Sequence, residues 1–146
     1  MQAKAIMIDA AGGPEVLTLR ETELPTLEAG EVQIEQTACG VNFLDVYQRN
    51  GAYTMPMPQG AGNEAAGRVV AVGPGVSGFA PGDRVAYQGG SPGAYASARN
   101  VPAWRLVRLP DSVSDEVAAA SMLKAMTVEY LLDRCARLSE GDHALM

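Results

Sequence analysis

Amide, carboxylate and phenol side chains concentrate in two glycine-bounded segments. These are Gly40-Val41-Asn42-Phe43-Leu44-Asp45-Val46-Tyr47-Gln48-Arg49-Asn50-Gly51 and Gly60-Ala61-Gly62-Asn63-Glu64-Ala65-Ala66-Gly67. An uncharged amide or phenol is a donor suited to negative charge that develops on an oxygen. An amide is also a poor zinc ligand beside thiolate or imidazole. The chemistry open to Asn42, Asp45, Tyr47 and Asn63 is therefore hydrogen bonding to a polar group rather than zinc ligation. Local capping of a turn after a strand is the competing reading of Asn42 and Asp45.

Two other motifs match catalytic patterns and fail on context. Gly60-x-Gly62-x-x-Ala65 fits the dinucleotide fingerprint, which must follow a strand and open a helix. Here it follows Met55-Pro56-Met57-Pro58 and leads into the β-branched Val69-Val70. Gly89-Gly90-Ser91-Pro92-Gly93 has the spacing of a nucleophile elbow, but Pro92 has no N–H to serve as the oxyanion donor. The only histidine, His143, sits beside the chain end. Ser91 reads as a turn residue, and a hydrolase is the weakest enzyme reading.

The elements that must position these residues are mostly strands. Ala5–Ile8, Val16–Thr22, Glu31–Ala38, Gly67–Gly73, Phe79–Tyr87, Ala94–Ala98 and Trp104–Leu109 are short β segments, punctuated by glycine and proline turns such as Gly12-Gly13-Pro14 and Gly73-Pro74-Gly75. Val32, Ile34 and Ala38 share one face of the cleanest alternation, with Gln33, Glu35 and Thr37 on the other. Phe43–Arg49 is a short helix or an irregular turn. Many short strands at this spacing point to a closed or nearly closed barrel.

After Pro110 the period lengthens. Ser114 is an N-cap, with Asp115 and Glu116 in the first helical turn. Val117–Leu123, the longest apolar run, reads as a buried helix. A second helix is expected from near Thr127, with Val128, Leu131, Leu132, Cys135 and Leu138 as its apolar stripe. Gly141 is expected to end it, and residues 141–146 read as the start of a strand.

A chain of 146 residues is the size of one ordinary domain. Its 47% hydrophobic content supports a core and argues against disorder. A net charge of −6 with scattered Lys and Arg speaks against a nucleic-acid surface. Cys39 and Cys135 are far apart, which excludes a cysteine-rich zinc site and suggests a reduced, cytoplasmic protein. The first residues do not form a signal peptide, and no apolar run approaches the ~18–20 residues of a membrane span.

Three segments carry a family resemblance: the two above and Ser121-Met122-Leu123-Lys124-Ala125-Met126-Thr127-Val128-Glu129-Tyr130. With the turn Gly82-Asp83-Arg84-Val85, they resemble the medium-chain dehydrogenase/reductase superfamily, and within it the zinc-free quinone reductases of the zeta-crystallin type. In the zinc alcohol dehydrogenases of that superfamily, the positions matching Asn42 and Asn63 are a cysteine and a histidine ligand. The resemblance thus implies no zinc and no metal site.

It further implies a mainly β fold with flanking helices. Residues 1–124 would form a GroES-like β-barrel catalytic domain. Residues 125–146 would supply a linking helix and the first strand of a Rossmann domain that is missing from this chain. The implied reaction is hydride transfer from NADPH to a quinone, with NADPH bound mostly by the missing domain. Asn42, Asp45, Tyr53 and Lys124 take catalytic roles, and Asn42, Phe43, Tyr47, Lys124, Thr127 and Tyr130 face the cofactor. Tyr53 and Asn63 face the substrate, and Glu64 is as much a loop anchor as a catalytic group. Ala125 and Met126 depart from the Gly and Leu common in relatives.

The implied partner is a small-molecule quinone or enone, with neither nucleic acid nor membrane, and the complete protein would be a homodimer. Alternatives on the same scaffold are reduction of α,β-unsaturated carbonyls and a non-enzymatic, crystallin-like structural or binding role. This portion alone is expected to be inactive, and its uncovered helical stripe to favour self-association.

Overall fold

The computed structural model describes residues 1–143. Eight antiparallel strands form two sheets. β1 (Gln2–Ile8), β2 (Thr18–Glu23) and β4 (Gln59–Gly60) are ordered β2-β1-β4. β3 (Glu31–Gly40), β5 (Glu64–Val72), β6 (Arg84–Gln88), β7 (Ala98–Pro102) and β8 (Val107–Arg108) are ordered β7-β3-β5-β6-β8. The Ala5–Ala96 bridge and the bonds Ile6 N–H to Tyr95 O (2.8 Å) and Ala61 N–H to Ile6 O (3.1 Å) tie the first sheet to the loops of the second. The sheets thereby approach the barrel expected from the strand spacing.

The alternation in Glu31–Ala38 works as the period requires. Val32 and Ile34 are fully buried with Val69, Val85, Tyr87 and Val101 in the main core. A register shift between Gln36 and Ala38 breaks the alternation and turns the end of β3 toward the helical layer. α1 (Phe43–Asn50) resolves the ambiguity at Phe43–Arg49 in favour of a helix, closed by Gly51 in the left-handed region at φ 84°.

Several strand boundaries differ from expectation: β1 begins at Gln2, β5 at Glu64 and β6 at Arg84, and β4 has no counterpart among the expected strands. Ala94–Ala98 contributes only the bridge at Ala96, and the strand lies later, at β7. Trp104–Leu109 splits into a 3₁₀ turn (Ala103–Arg105) and the two-residue β8. Val16 belongs to a 3₁₀ turn started by Pro14, so β2 begins at Thr18.

α2 (Asp115–Glu129) starts as expected, with Ser114 Oγ accepting from Val117 N–H at 3.2 Å. It then runs through Thr127 without a break and continues as a π-helical turn, Tyr130–Ala136. One helix replaces the two expected, because nothing at Thr127 interrupts the backbone ladder. Arg137, left-handed at φ 53°, ends it rather than Gly141. Gly141–His143 carry no strand, and Ala144–Met146 lie outside the described residues.

The run Val117–Leu123 is not buried as a whole. Only Ala118 and Ala119 are buried, packed on Ala66 and Ala86, while Val117 is exposed. Small residues on both sides let α2 approach the sheet closely. Val128, Leu131 and Leu138 of the apolar stripe are exposed among the described residues.

The start of α2 is pinned electrostatically. Arg84 Nε and Nη2 donate to Asp115 Oδ1 at 3.0 and 2.5 Å, and Thr37 Oγ1 donates to Asp115 Oδ2 at 2.7 Å. The Thr37 hydroxyl and then Arg84 hold the Asp115 carboxyl below the usual range. A carboxyl lowered in the folded state adds stability above its unfolded value of ~3.9, and that stability disappears as pH falls through the lowered value. Asp115→Asn is expected to lose about 1–2 kcal/mol at pH 7. Urea unfolding should show the gap from the parent closing in strong acid, where the parent carboxyl is also neutral.

Candidate functional site

α1 begins where β3 ends, with Asn42 as N-cap in extended backbone (φ −133°, ψ 152°) and a capping box to Asp45. Asn42 N–H donates to Asp45 Oδ2 at 2.8 Å. Tyr95 Oη–H donates to the same oxygen at 2.6 Å, and Asn63 Nδ2 donates to Oδ1 at 2.6 Å. Asn63 Nδ2 also donates to Gln48 Oε1 at 2.7 Å. Three donors at the N-terminus of a helix satisfy the hydrogen-bonding needs of this buried side chain. Burial, followed by donation to Asp45, pushes the Tyr95 phenol far above its ordinary value, so Tyr95 stays a donor.

A second buried carboxylate, Glu64, lies at the start of β5 and is 0% exposed. Its Oε1 accepts from Asn42 Nδ2 at 2.7 Å and Lys124 Nζ at 3.3 Å, and its Oε2 from Leu123 N–H at 2.7 Å. Lys124 Nζ also donates to Asn42 Oδ1 at 2.6 Å. The Asn42 amide therefore has one satisfying orientation, with its NH₂ on the carboxylate and its oxygen on the ammonium. Gly40 makes this convergence possible: a Cβ there would sit 2.1 Å from Ala119 O and 2.4 Å from Glu64 Oε1.

Asn42, Asp45, Asn63, Glu64 and Lys124 thus form one network linking β3, α1, β5 and α2. Asn63 is buried, with its NH₂ engaged by Asp45 and Gln48. Lys124 has a side chain 53% exposed and brings the cluster's positive charge to the surface. A cavity of about 190 Å³ opens beside the network, lined by Leu17, Asn42, Asp45, Val46 and Tyr95.

The aromatic candidates form a separate exposed group. The Phe43 and Tyr47 rings lie 6.4 Å apart, and Tyr53 meets Tyr47 edge-on at 5.7 Å. Tyr53 N–H donates to Tyr47 O at 3.0 Å, which holds the loop after α1 against the helix. Phe43, Tyr47, Tyr53 and Tyr130 are all exposed. Thr127, one turn beyond Lys124, donates its hydroxyl to Leu123 O at 2.8 Å. Lys124 and Thr127 in α2 and Tyr130 just after it are thus spaced three residues apart along an exposed stretch of helix.

Tyr95, Gln48 and the Leu123 N–H were not anticipated. Gln48 sits one turn after Asp45, at a spacing that signals a shared helix face. Tyr95 is 50 residues from Asp45, and no local pattern links them. The two rejected motifs hold to their bland reading. Gly60 lies in β4 and Glu64 opens a strand, while Ser91 lies in a bend between left-handed glycines. Among the described residues, no group of three or more His, Cys, Asp or Glu is placed to hold a metal ion. Among them, too, no helix is long and apolar enough to cross a membrane.

The chain is similar to several known oxidoreductases. A quinone oxidoreductase of Pseudomonas aeruginosa is 44% identical over 144 residues, which is 98% of this chain and 44% of that protein. A 2-haloacrylate reductase of a Burkholderia species is 38% identical over 97% of this chain and 44% of its own length. The crystal structure of an Escherichia coli quinone oxidoreductase in complex with NADPH superposes with a TM-score of 0.81 at 43% identity, over 91% of this chain and 41% of that one. The chain thus spans less than half the length of the curated relatives it matches. The profile of the alcohol dehydrogenase GroES-like domain matches residues 28–111, more than half of the chain, and the chain belongs to that family.

Proposed function

We propose that this chain is the substrate-side domain of an NADPH-dependent quinone reductase that works without a metal. The observation that carries the reading is the network in which Glu64 and Asn42 hold the Lys124 ammonium at the surface. When bound, NADPH supplies the hydride. Lys124, Thr127 and Tyr130 would hold it along α2, with Asn42, Phe43 and Tyr47 facing it from α1. The Lys124 charge and the Tyr53 hydroxyl then serve as preorganised stabilisers of a quinone oxygen that gains negative charge. The Tyr53 hydroxyl makes no hydrogen bond among the described residues, so it is available to a ligand. The Phe43 and Tyr47 faces suit a flat apolar acceptor. Asn63, with its NH₂ engaged internally, acts by holding Asp45 and α1 in place. Residues 1–124 carry most of this site, and the segment from 125 on adds Thr127 and Tyr130 and links it to the remainder of a longer dimeric, cytoplasmic enzyme.

The identity with a 2-haloacrylate reductase favours a second reading, reduction of an activated carbon–carbon double bond on the same groups. Both reactions place negative charge on a carbonyl oxygen, and competition between an ortho-quinone and an enone separates them.

The test is NADPH consumption by the complete protein after chelator treatment, with and without an ortho-quinone. Quinone-dependent turnover is expected to survive chelation. Tyr53→Phe should lower kcat/KM about tenfold, the loss of roughly one hydrogen bond to developing charge. Turnover restored only by zinc would sink the metal-free reading, and an unchanged Tyr53→Phe enzyme would remove that residue from it.

A further inference from the structure

A hollow of about 340 Å³ lies away from the Glu64–Lys124 network, between the loop after β6 and the segment joining β7 to β8. Its walls include Tyr87, Ser91, Arg99, Trp104 and Arg105, which set two arginines beside aromatic rings in a chain of net charge −6. The Arg105 guanidinium lies 4.2 Å from the centre of the Trp104 ring, and Arg99 lies 5.6 Å from that of Tyr87. Arg99 Nη1 donates to Tyr87 Oη at 3.4 Å and Nη2 to Ser91 O at 3.2 Å. Among the described residues, Arg105 makes no hydrogen bond and neither arginine is in an ion pair. Glu31 also lines the hollow, but its carboxylate accepts the Glu28 N–H at 3.0 Å.

The loop is shaped around these cations. Gly89, Gly90 and Gly93 are all left-handed, and a Cβ on any of them would lie 3.3–3.5 Å from an arginine side-chain atom. Trp104 is 75% exposed, an unusual place for the chain's one tryptophan. A large exposed indole beside unpaired guanidinium groups is a surface that a ligand would cover.

We propose that this hollow binds a small aromatic carboxylate. The exposed Trp104 indole, with the Arg105 guanidinium against it, offers aromatic surface to a second ring. Arg99 keeps three of its five N–H donors for a carboxylate, a geometry in which guanidinium excels. The volume is at the lower end of small-molecule sites, which suits a single ring. The same loop donates Gly89 N–H to Asn63 O at 2.8 Å and carries Tyr95 to Asp45, so a ligand here would rest on a segment continuous with the reductase network. The proposal does not depend on the reductase reading.

The test follows the indole N–H resonance of Trp104 while benzoate, benzyl alcohol or inorganic phosphate is added. Benzoate is expected to give a saturable shift with a Kd of about 1 mM, a reasonable affinity for so few atoms. Benzyl alcohol, which lacks the charge, and phosphate, which lacks the ring, should each bind about tenfold more weakly or worse. Arg105→Gln and Arg99→Gln should each weaken benzoate about tenfold. A benzoate shift that never saturates, matches that of benzyl alcohol, or survives both substitutions would overturn the proposal. Should Arg99→Gln lose its native amide spectrum, Arg105→Gln decides alone, because that side chain makes no hydrogen bond or ion pair among the described residues.

Discussion

Glu64→Gln is expected to destabilise the protein by about 1–3 kcal/mol although it changes neither size nor shape. Three donors converge on the two Glu64 oxygens: Asn42 Nδ2, Lys124 Nζ and the Leu123 N–H. Glutamine offers one acceptor oxygen. If it faces Asn42 and Lys124, its NH₂ meets the Leu123 N–H, donor against donor. If it faces Leu123, its NH₂ meets Asn42 Nδ2, and turning the Asn42 amide over would aim that NH₂ at the Lys124 ammonium. No arrangement of the two amides satisfies all four groups, and at 0% exposure water does not reach Glu64 to repair the mismatch.

Glu64→Ala should cost more, about 2–4 kcal/mol, since it adds a cavity to the lost acceptors. Lys124 moderates both figures, because its half-exposed ammonium can return to water. Urea unfolding of the parent and both variants checks the order. A Glu64→Gln protein as stable as the parent would show that Glu64 serves by volume alone.

Most of the strand pattern and the Ser114 cap were legible in the chain, and the segment after β3 was legible as a helix or a turn, because each rests on neighbours within a few positions. Val32 and Ile34 alternate with polar residues, Asn42 and Asp45 stand at capping-box spacing, and Gly51 follows a helical run. What escaped was set by distant contacts. The strand expected at Ala94–Ala98 is diverted because Tyr95 turns to Asp45 and Ala61, and only Ala98 onward pairs with β3. The register shift near Gln36 comes from the Gly67 approach, where a Cβ would lie 2.1 Å from Glu35 O, rather than from any signal within β3. Helix α2 looked like two because Val117–Leu123 is apolar on every side and the stripe from Val128 is not. A change of pattern marks a change in what a helix faces, and it does not require a break. Tyr95 was missed for the same reason: its role is fixed by a partner 50 residues away.

Gly40→Ala is the smallest substitution with a large expected effect, about 2–4 kcal/mol of destabilisation, at or above the upper end for overpacking a tight core. The backbone at Gly40 is not left-handed, so the cost does not come from φ. It comes from space: the added carbon would meet Ala119 O at 2.1 Å and Glu64 Cγ at 2.5 Å, a helix backbone on one side and a buried, fully bonded carboxylate on the other. Gly75 provides the contrast, being left-handed at φ 75° with nothing within 4 Å of its would-be Cβ. Gly75→Ala should therefore cost only the ~1 kcal/mol of left-handed strain.

The two variants also differ in where the damage falls. Gly75→Ala should leave the network intact, whereas Gly40→Ala must push α2 from β3 and stretch the Leu123 N–H bond to Glu64. Hydrogen exchange at the Leu123 amide separates them, with faster exchange expected in Gly40→Ala alone. Equal exchange in both variants would mean that α2 relaxes without moving Lys124, and Gly40 would then be a packing residue with no part in holding the ammonium.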